Sequence, residues 1–248
     1  MQKNIIYEDE HLIVAYKPAG IATQTARIGQ QDMVSELKNY LSRKPENKGK
    51  GTPYLGLVHR LDQPVSGILV FGKTKQATAS LSRQITDGTF HKYYYAVIYG
   101  KPQKEKDRLT DYLYKDGRTN MSVIVQKDFP EAKKAVLDYR LVKTLMVIEV
   151  LQEASLMEIE LMTGRHHQIR VQMANAGMPL LGDSKYGTET ERQFSREIGC
   201  KNVALCAYKI KFRHPKTGKE ISFERKPEEE IFLPFLPKAY KILPSYYQ

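Results

Sequence analysis

The carboxylate of Asp62 is the strongest candidate for a catalytic group in this sequence. It lies in the segment Val-His-Arg-Leu-Asp-Gln-Pro-Val-Ser-Gly, where His59 and Arg60 come just before it. A single aspartate in a turn more often caps a helix or closes an Asx-turn. The basic neighbours favour a functional role, because a carboxylate beside arginine stays ionised, as a nucleophile must. Asp62 is therefore predicted to be a nucleophile, with Arg60 placed to reach a phosphate or enter a base stack.

A second basic segment, Gly-Arg-His-His-Gln-Ile-Arg, spans residues 164–170. Gly164 permits a turn from strand to helix, which would put Arg165 and Arg170 at the helix start. Arginine can hold a carboxylate or a phosphate through two parallel hydrogen bonds. A solvated basic helix start is the plainer interpretation, but positive charge there is locally unfavourable. We therefore expect an anionic group close to these arginines.

Three consecutive tyrosines occupy the segment Lys-Tyr-Tyr-Tyr-Ala at residues 92–96. In a strand, Tyr94 would lie on the face opposite Tyr93 and Tyr95. One of these faces could offer an aromatic platform to a base extruded from nucleic acid. Packing within a sheet is the commoner use of tyrosine, and it remains the alternative.

Metal and cofactor chemistry is not indicated by the sequence. His166 and His167 are adjacent, so their side chains would diverge on a helix and make a poor metal pair. Cys200 and Cys206 are too few for a disulfide framework or a zinc site. The chain contains no glycine loop of the P-loop or dinucleotide-binding type. We predict no metal, no nucleotide cofactor and no other organic cofactor.

Many short strands with scattered helices are predicted to position these segments. Alternating, β-branched and aromatic residues predict strands at residues 5–7, 12–16, 54–59, 68–71, 92–100, 135–142, 146–150 and 156–161, others near Arg108 and Met121, and a hairpin of residues 209–213 with 220–224. No regular βαβ repeat is present. The sequence therefore predicts an α+β fold with a mixed, largely antiparallel sheet and flanking helices.

Three helices are predicted from caps and apolar spacing. Asp32 can cap one and Thr74 another, and a third is predicted over residues 166–176, ended by Gly177. The apolar faces of the first two contain Met33, Val34, Leu37, Tyr40 and Leu41, and Ala77, Leu81 and Ile85. Residues 44–53 are predicted to form a loop, and the proline-containing C-terminal stretch a surface wrap.

The chain is strongly basic, with 39 Lys plus Arg against 28 Asp plus Glu and a net charge of +11. A folded basic protein attracts polyanions through long-range fields and counterion release, so nucleic acid is the leading partner. Excess lysine can also serve solubility alone. The start has no signal-peptide core, and no apolar run reaches the roughly 18 residues that span a bilayer. These features predict a cytoplasmic protein without membrane contact.

Three ordered motifs connect these segments to a known family. His-Arg-Leu-Asp with Ser-Gly four residues beyond Asp62, then Lys-x-Tyr-x-Ala…Gly from Lys92 to Gly100, then Gly-Arg-x-His-Gln-Ile-Arg resemble the motifs of the RluA-like RNA pseudouridine synthases. The opening, Tyr-Glu-Asp-Glu-His-Leu-Ile-Val followed by Lys-Pro-Ala-Gly, is similar as well, and the resemblance covers residues 5–223. Two residues depart from the family pattern, His166 and Val65. The third motif continues with Gly177, Pro179, Gly182, Asp183, Tyr186 and Gly187.

The resemblance implies a role for each site residue. Asp62 would be the nucleophile, Tyr94 would stack on the target uracil and take part in proton transfer, and Arg170 would pair with Asp62. We therefore expect Asp62 and Arg170 to lie in contact in one cleft. The implied substrate-binding residues are Arg60, which would fill the gap left by the flipped base, Ile169, which would form an apolar floor, and His59, Lys92, Arg165 and Gln168.

The resemblance also implies the fold and the activity. Residues 1–248 would form a single catalytic domain of the pseudouridine synthase fold, with a central cleft and no separate N-terminal RNA-binding domain. It would act as a monomer that isomerises specific uridines in structured RNA, ribosomal or transfer. Attack of Asp62 on the ribose and assisted elimination are both open.

Two other functions are compatible with parts of the sequence. A non-catalytic RNA-binding or ribosome-assembly protein on the same fold would explain the charge and the tyrosines. It would not need an ionised aspartate held by arginine. A carboxylate-based nucleosidase or glycosidase would need a second carboxylate, for which Glu158 and Glu160 are the candidates.

Overall fold

A single mixed β-sheet organises the protein. The computed structural model describes residues 2–25, 29–147 and 152–236, and its sheet contains 11 strands. The strands are β1 (Ile5–Glu8), β2 (Leu12–Lys17), β3 (Gly56–Leu57), β4 (Ser66–Gly72), β5 (His91–Tyr99), β6 (Lys106–Asp116), β7 (Met121–Val125), β8 (Lys133–Val147), β9 (Gln152–Leu161), β10 (Leu205–Arg213) and β11 (Glu220–Glu224).

The strand order is β1-β2-β4-β10-β5-β9-β8-β6-β7, with β11 beside β10 and β3 beside β4. Among the described strands, β4 and β10 form the one parallel pair, and the others run antiparallel. The prediction of a mixed, largely antiparallel sheet in an α+β fold is confirmed. The predicted hairpin of residues 209–213 with 220–224 is confirmed as β10 and β11.

Helices cover both faces of the sheet. They are α1 (Met33–Ser42), α2 (Lys75–Asp87), α3 (Gln168–Asn175) and α4 (Glu189–Glu197), with short 3₁₀ turns at Gln2–Asn4, Pro45–Asn47 and Glu230–Phe232. The predicted caps are confirmed: the Asp32 carboxylate accepts the Ser35 N–H and the Thr74 hydroxyl accepts the Ala77 N–H. No described helix is long and apolar enough to cross a membrane.

The two faces of the sheet carry separate apolar cores. On the α1–α3 face, Leu37 of α1 and Met173 of α3 pack with Tyr94 of β5. On the opposite face, the cluster that contains Leu81 of α2 and Phe194 of α4 packs against residues that include Tyr93 and Tyr95 of the same strand. Strand alternation thus separates Tyr94 from its neighbours, as predicted. Any site built on Tyr94 belongs to the α1–α3 face.

The predicted strand at residues 54–59 was too long. Only Gly56 and Leu57 pair with β4, opposite Gly72 and Phe71. At the next residue of β4, Val70, the backbone N–H donates to a side chain: it bonds Nε2 of His59 at 3.3 Å. The chain therefore leaves the sheet before Asp62, which frees the Asp62 segment to form a loop.

Other differences concern helix ends and one missed helix. The third helix was predicted from residue 166 and begins at Gln168. Helix α4 was not predicted, although Thr188 caps it by accepting the Glu191 N–H, which is a Thr-x-x-Glu signature. The predicted strand 146–150 is described only to Val147, as the end of β8. The predicted C-terminal wrap lies outside the described residues beyond position 236.

The Gly67 position sets how closely β4 approaches β10. Gly67 has φ +130°, and a Cβ there would lie 2.4 Å from both the backbone nitrogen and oxygen of Ala207. We expect Gly67→Ala to lower the free energy of unfolding by about 2–4 kcal/mol, through backbone strain and a clash. The control Gly88→Ala, at φ +81° with nothing within 4 Å, should cost only about 1 kcal/mol. Urea denaturation measures both; equal losses would contradict the close-approach argument.

Candidate active site

Asp62 lies in the loop between β3 and β4, with its side chain 29% exposed. Its carbonyl oxygen accepts the Val65 N–H at 3.0 Å, which closes a turn. Leu61 and Val65 on either side are buried in the core of the α1–α3 face. These anchors fix the backbone of Asp62 while its carboxylate remains partly open to solvent.

Lys17, in the N-terminal part of the chain, makes a hydrogen bond to the loop that carries Asp62. The buried Lys17 ammonium donates to the carbonyl oxygens of Pro18, Ile21 and Gln63 at 3.0, 2.7 and 3.1 Å. Burial lowers the pKa of Lys17 to about 8, although the charge of Asp62 opposes the shift. The Lys-Pro-Ala-Gly segment was interpreted as a turn, and the role of its lysine was missed.

Thr23 makes a second clamp on the same loop. Its hydroxyl donates to the Leu61 carbonyl at 2.8 Å and accepts the Leu61 N–H at 3.1 Å. Both polar groups of the Leu61 backbone are therefore satisfied by one buried side chain. The residue before Asp62 cannot shift without breaking two hydrogen bonds.

Arg170 of α3 contacts Asp62, as predicted. Its Nη1 donates to Oδ2 of Asp62 at 3.2 Å. Its Nε and Nη2 both donate to Asp183 at 2.7 Å, in a buried bidentate pair. Burial opposes the charge of Arg170, but the carboxylates of Asp183 and then Asp62 outweigh it and raise its pKa. The anionic group expected near this arginine is thus two carboxylates.

Asp183 was missed as a site residue, although Gly182-Asp183 had been recognised as part of the third motif. Its carboxylate also accepts the backbone N–H groups of Lys185 and Tyr186, at 3.0 and 3.2 Å. The Arg170 guanidinium lies over the Tyr186 ring, 5.2 Å from its centroid. Asp183 and the Tyr186 ring thus hold the arginine and leave Nη1 aimed at Asp62.

His167, which was also missed, lies beside the same carboxylate. Its Nε2 is 3.5 Å from Oδ2 of Asp62, and its backbone is left-handed at φ 51° and ψ 23°. Such a conformation costs about 1–3 kcal/mol and concentrates at functional sites. Burial lowers the pKa of His167 to about 4, against the effect of Asp62.

The expected divergence of His166 and His167 is wrong. Their rings stack, with centroids 3.7 Å apart and planes at 25°. Both residues precede α3, so helical spacing does not apply to them. Among the described residues, no group of three or more His, Cys, Asp or Glu side chains could hold a metal.

Tyr94 and Ile169, two of the predicted site residues, are buried. Tyr94 is 5% exposed and Ile169 4% exposed, and both belong to the core of the α1–α3 face. Burial, followed by the negative charge of Asp62, raises the pKa of Tyr94 above its usual value. The phenol is therefore close enough to Asp62 to sense its charge, and it stays protonated at neutral pH.

His59 and Gln168 each make hydrogen bonds to other residues of the protein. Burial, with the charge of Lys92, lowers the pKa of His59 to about 3, and its ring packs 5.4 Å from that of Phe90. The Gln168 amide accepts the Arg165 N–H at 3.0 Å and donates to the Val136 carbonyl at 3.1 Å. His59 thus contacts β4, and Gln168 bridges Arg165 and β8.

Arg60, Arg165 and Lys92 are the three basic residues still to be placed among the predicted substrate-binding residues. Arg60 and Arg165 are exposed, and Arg165 Nε donates to the Lys134 carbonyl at 2.9 Å. Lys92 is 6% exposed, and burial lowers its pKa to about 8. Its ammonium lies beside Gly164, 3.4 Å from where a Cβ would stand.

Comparison with known proteins identifies a family for this chain. Residues 11–175 match the family described as RNA pseudouridylate synthase. The chain is 33% identical to ribosomal large subunit pseudouridine synthase D of Zymomonas mobilis over 235 residues, 93% of this chain and 71% of that one. It is 32% identical to the uncharacterized RNA pseudouridine synthase YlyB of Bacillus subtilis over 233 residues, with coverage of 93% and 71%.

The fold agrees as well. The solved structure of human RNA pseudouridylate synthase domain containing 4 superposes with a TM-score of 0.71 at 20% identity, covering 92% of this chain and 90% of that one. Sequence and fold together define an RNA-modifying isomerase. The chain belongs to the RNA pseudouridylate synthase family, and the predicted resemblance to its RluA-like members is confirmed.

Breaking the buried Arg170–Asp183 pair should cost more stability than breaking an exposed ion pair. Asp183→Asn removes the negative charge that balances the buried Arg170 guanidinium. We therefore expect the free energy of unfolding to fall by about 3 kcal/mol. The matched control is Asp138→Asn, which weakens the bidentate but exposed pair with Arg108 and should cost under about 1 kcal/mol. Urea denaturation compares them; similar losses would mean that burial does not set the cost.

Proposed function

We propose that this protein converts uridine to pseudouridine in structured RNA with Asp62 as its nucleophile. The observation that carries the proposal is the partly exposed Asp62 carboxylate, 3.2 Å from an Arg170 guanidinium that a buried Asp183 holds in place. An arginine so constrained keeps its charge and its direction. Because the guanidinium cannot move toward solvent, it holds the Asp62 carboxylate in one position.

The reaction asks little more than this of the protein. The bond between uracil N1 and ribose C1′ breaks, the base turns, C5 bonds to C1′, and the proton on C5 leaves while N1 gains one. Atoms and electrons balance within the substrate, so the proposal includes no metal, no group donor and no organic cofactor. Asp62 acts by attack on C1′ or by assisting elimination, and both routes use the same ionised carboxylate.

Tyr94 fits a role as a neutral phenol. Because burial and Asp62 raise its pKa, it would keep its proton at neutral pH and act by packing against the uracil or donating a hydrogen bond. Ile169 would floor the same pocket. Arg60, exposed and two residues from Asp62, is the candidate to fill the space that the flipped base leaves.

The proposed substrate is ribosomal or transfer RNA, bound by a monomeric single catalytic domain. Relatives named ribosomal large subunit pseudouridine synthase C and D favour ribosomal RNA. Basic side chains stand near the site: Lys115 is exposed, and after burial its charge is the main cause of the lowered pKa of His166, with Lys185 contributing. Together with Arg60 and Arg165 they would contact phosphates.

The positions of Glu158 and Glu160 argue against the nucleosidase or glycosidase alternative, which needs a second carboxylate near Asp62. Glu158 and Glu160 pair in register with Tyr95 and Tyr93, on the sheet face opposite Tyr94. Glu158 accepts hydrogen bonds from Tyr208 and Arg140, and Glu160 contacts His91. Neither shares the face that carries Asp62.

Asp62→Ala should separate binding from chemistry. Release of tritium from C5 of uracil in structured RNA should fall below detection, because no neighbouring group replaces the carboxylate. RNA affinity should stay equal or rise slightly as a negative charge is removed. Glu158→Gln, a carboxylate removed from the opposite face, should retain wild-type release.

Three results would contradict the proposal. Wild-type release by Asp62→Ala would exclude Asp62 as the nucleophile. A wild-type protein that binds ribosomal and transfer RNA but releases tritium from neither would favour the non-catalytic RNA-binding alternative. Loss of activity in a folded Glu158→Gln variant would restore the two-carboxylate mechanism.

RNA binding should depend on salt through the cations near Asp62. Lys115→Gln should weaken binding and reduce the slope of log affinity against log salt by about 0.9 for duplex or about 0.7 for single-stranded RNA. The control Lys209→Gln removes a lysine that lies over Tyr93 on the opposite face and pairs with Glu224. Filter binding over a salt series compares the two variants. Equal slopes for Lys115→Gln and Lys209→Gln would mean that the RNA does not bind beside Asp62.

A further inference from the structure

The two oxygens of Asp62 are held unequally. Arg170 Nη1 lies 3.2 Å from Oδ2, and His167 Nε2 lies 3.5 Å from the same oxygen. Within the part of the chain that the structure describes, no hydrogen bond reaches Oδ1. Two nitrogens therefore face one oxygen, and the other oxygen has no hydrogen-bond partner among the described residues.

A directed hydrogen-bond chain leads to His167 from strand β7. The Ser122 N–H donates to the Tyr186 hydroxyl oxygen at 2.8 Å, and this hydroxyl lies 2.8 Å from His167 Nδ1. Because the oxygen already accepts from Ser122, its own proton is available to Nδ1. The ring proton of a neutral His167 then resides on Nε2, facing Asp62. The other tautomer would set the Nε2 lone pair against a carboxylate oxygen.

The plane of the His167 ring is fixed by His166, whose ring stacks on it. The Ser122 hydroxyl donates to the His166 carbonyl at 2.8 Å, and so it accepts from His166 Nδ1 at 3.0 Å. Ser122 thus anchors both histidines, one through its hydroxyl and the other through its N–H and Tyr186. The left-handed backbone at His167 is stabilised by these contacts.

We propose that His167, neutral and protonated on Nε2, is a positioning residue that fixes Asp62 through Oδ2 and leaves Oδ1 to react with the ribose. This inference rests on the proposed role of Asp62 as nucleophile. The 3.5 Å separation is longer than a formed hydrogen bond. Catalytic contacts of this kind tighten when substrate binds.

The charges around His167 agree with a neutral ring. Burial lowers its pKa to about 4, the charge of Asp62 opposes the shift, and Arg170, His166 and Lys185 add to it. Above about pH 6 the ring therefore carries one proton. His167 neither gains nor loses charge in the range where the enzyme would work.

The tautomer can be measured without any RNA. In the full chain labelled with ¹⁵N-histidine, the His167 resonances, assigned by their loss in His167→Asn, should show a protonated Nε2 and a bare Nδ1, unchanged from about pH 6 to 8. Tyr186→Phe removes only the hydroxyl and should give a mixture of tautomers. A protonated Nδ1 in the wild type, or titration near the ordinary histidine pKa, would overturn the inference.

Kinetics test whether this arrangement serves catalysis. Asparagine tolerates the left-handed backbone, but its shorter side chain does not reach Asp62. His167→Asn should therefore lower kcat on the order of 10²-fold, while KM for RNA stays within about twofold of the wild type. Tyr186→Phe should lower kcat by about three- to tenfold, because the hydroxyl that contacts His167 Nδ1 and accepts the Ser122 N–H is lost. Wild-type kcat in either folded variant would overturn the positioning role. Absence of tritium release by the wild type would overturn the proposed function, while the spectra would still decide the tautomer.

Discussion

The buried ion pair of Arg170 with Asp183 is the constraint on which the site depends. A guanidinium taken out of water keeps its charge only while a carboxylate accepts from it in good geometry, and here Asp183 supplies both oxygens at 2.7 Å. The pair uses Nε and Nη2 and leaves Nη1 for Asp62. A partly exposed carboxylate thus takes its position from a buried one.

Asp183 extends this constraint to the neighbouring loop. By accepting the N–H of Tyr186 it also places the ring beneath Arg170 and the hydroxyl against His167. The sheet supplies the second constraint, because strand alternation gives Tyr94 to the site and its two tyrosine neighbours to the other core. The same alternation places Glu158 on the sheet face opposite Tyr94.

Local patterns predicted the parts of the fold that depend on near neighbours. Asp32 and Thr74 cap helices by bonding an N–H three residues on, and such signals are readable in a short window. Helix α4 escaped because Phe194 is its one buried apolar residue among those described, so its apolar periodicity is faint. The capping pattern of Thr188 with Glu191 was the signal available.

The site was predicted as far as its motifs reach. The contact of Asp62 with Arg170 followed from the motif pair, whereas Asp183, Lys17 and His167 act through contacts between distant segments. The left-handed backbone at His167 also shifted the helix start and stacked two histidines that helical spacing would separate. The roles assigned to Tyr94, Arg60 and Lys92 stay predictions.

The parallel pairing of β4 with β10 has a consequence for how the protein is made. Ser66 and Gly67, which follow the Asp62 loop, pair with Cys206 and Ala207 near the end of the described chain, and Arg170 likewise comes from the second half. Contacts of such long sequence separation form late. During synthesis the loop bearing Asp62 therefore leaves the ribosome long before its partners do. The Asp62 loop therefore gains its contact with Arg170, and the strand that follows it gains its pairing with β10, only after those later segments have been translated.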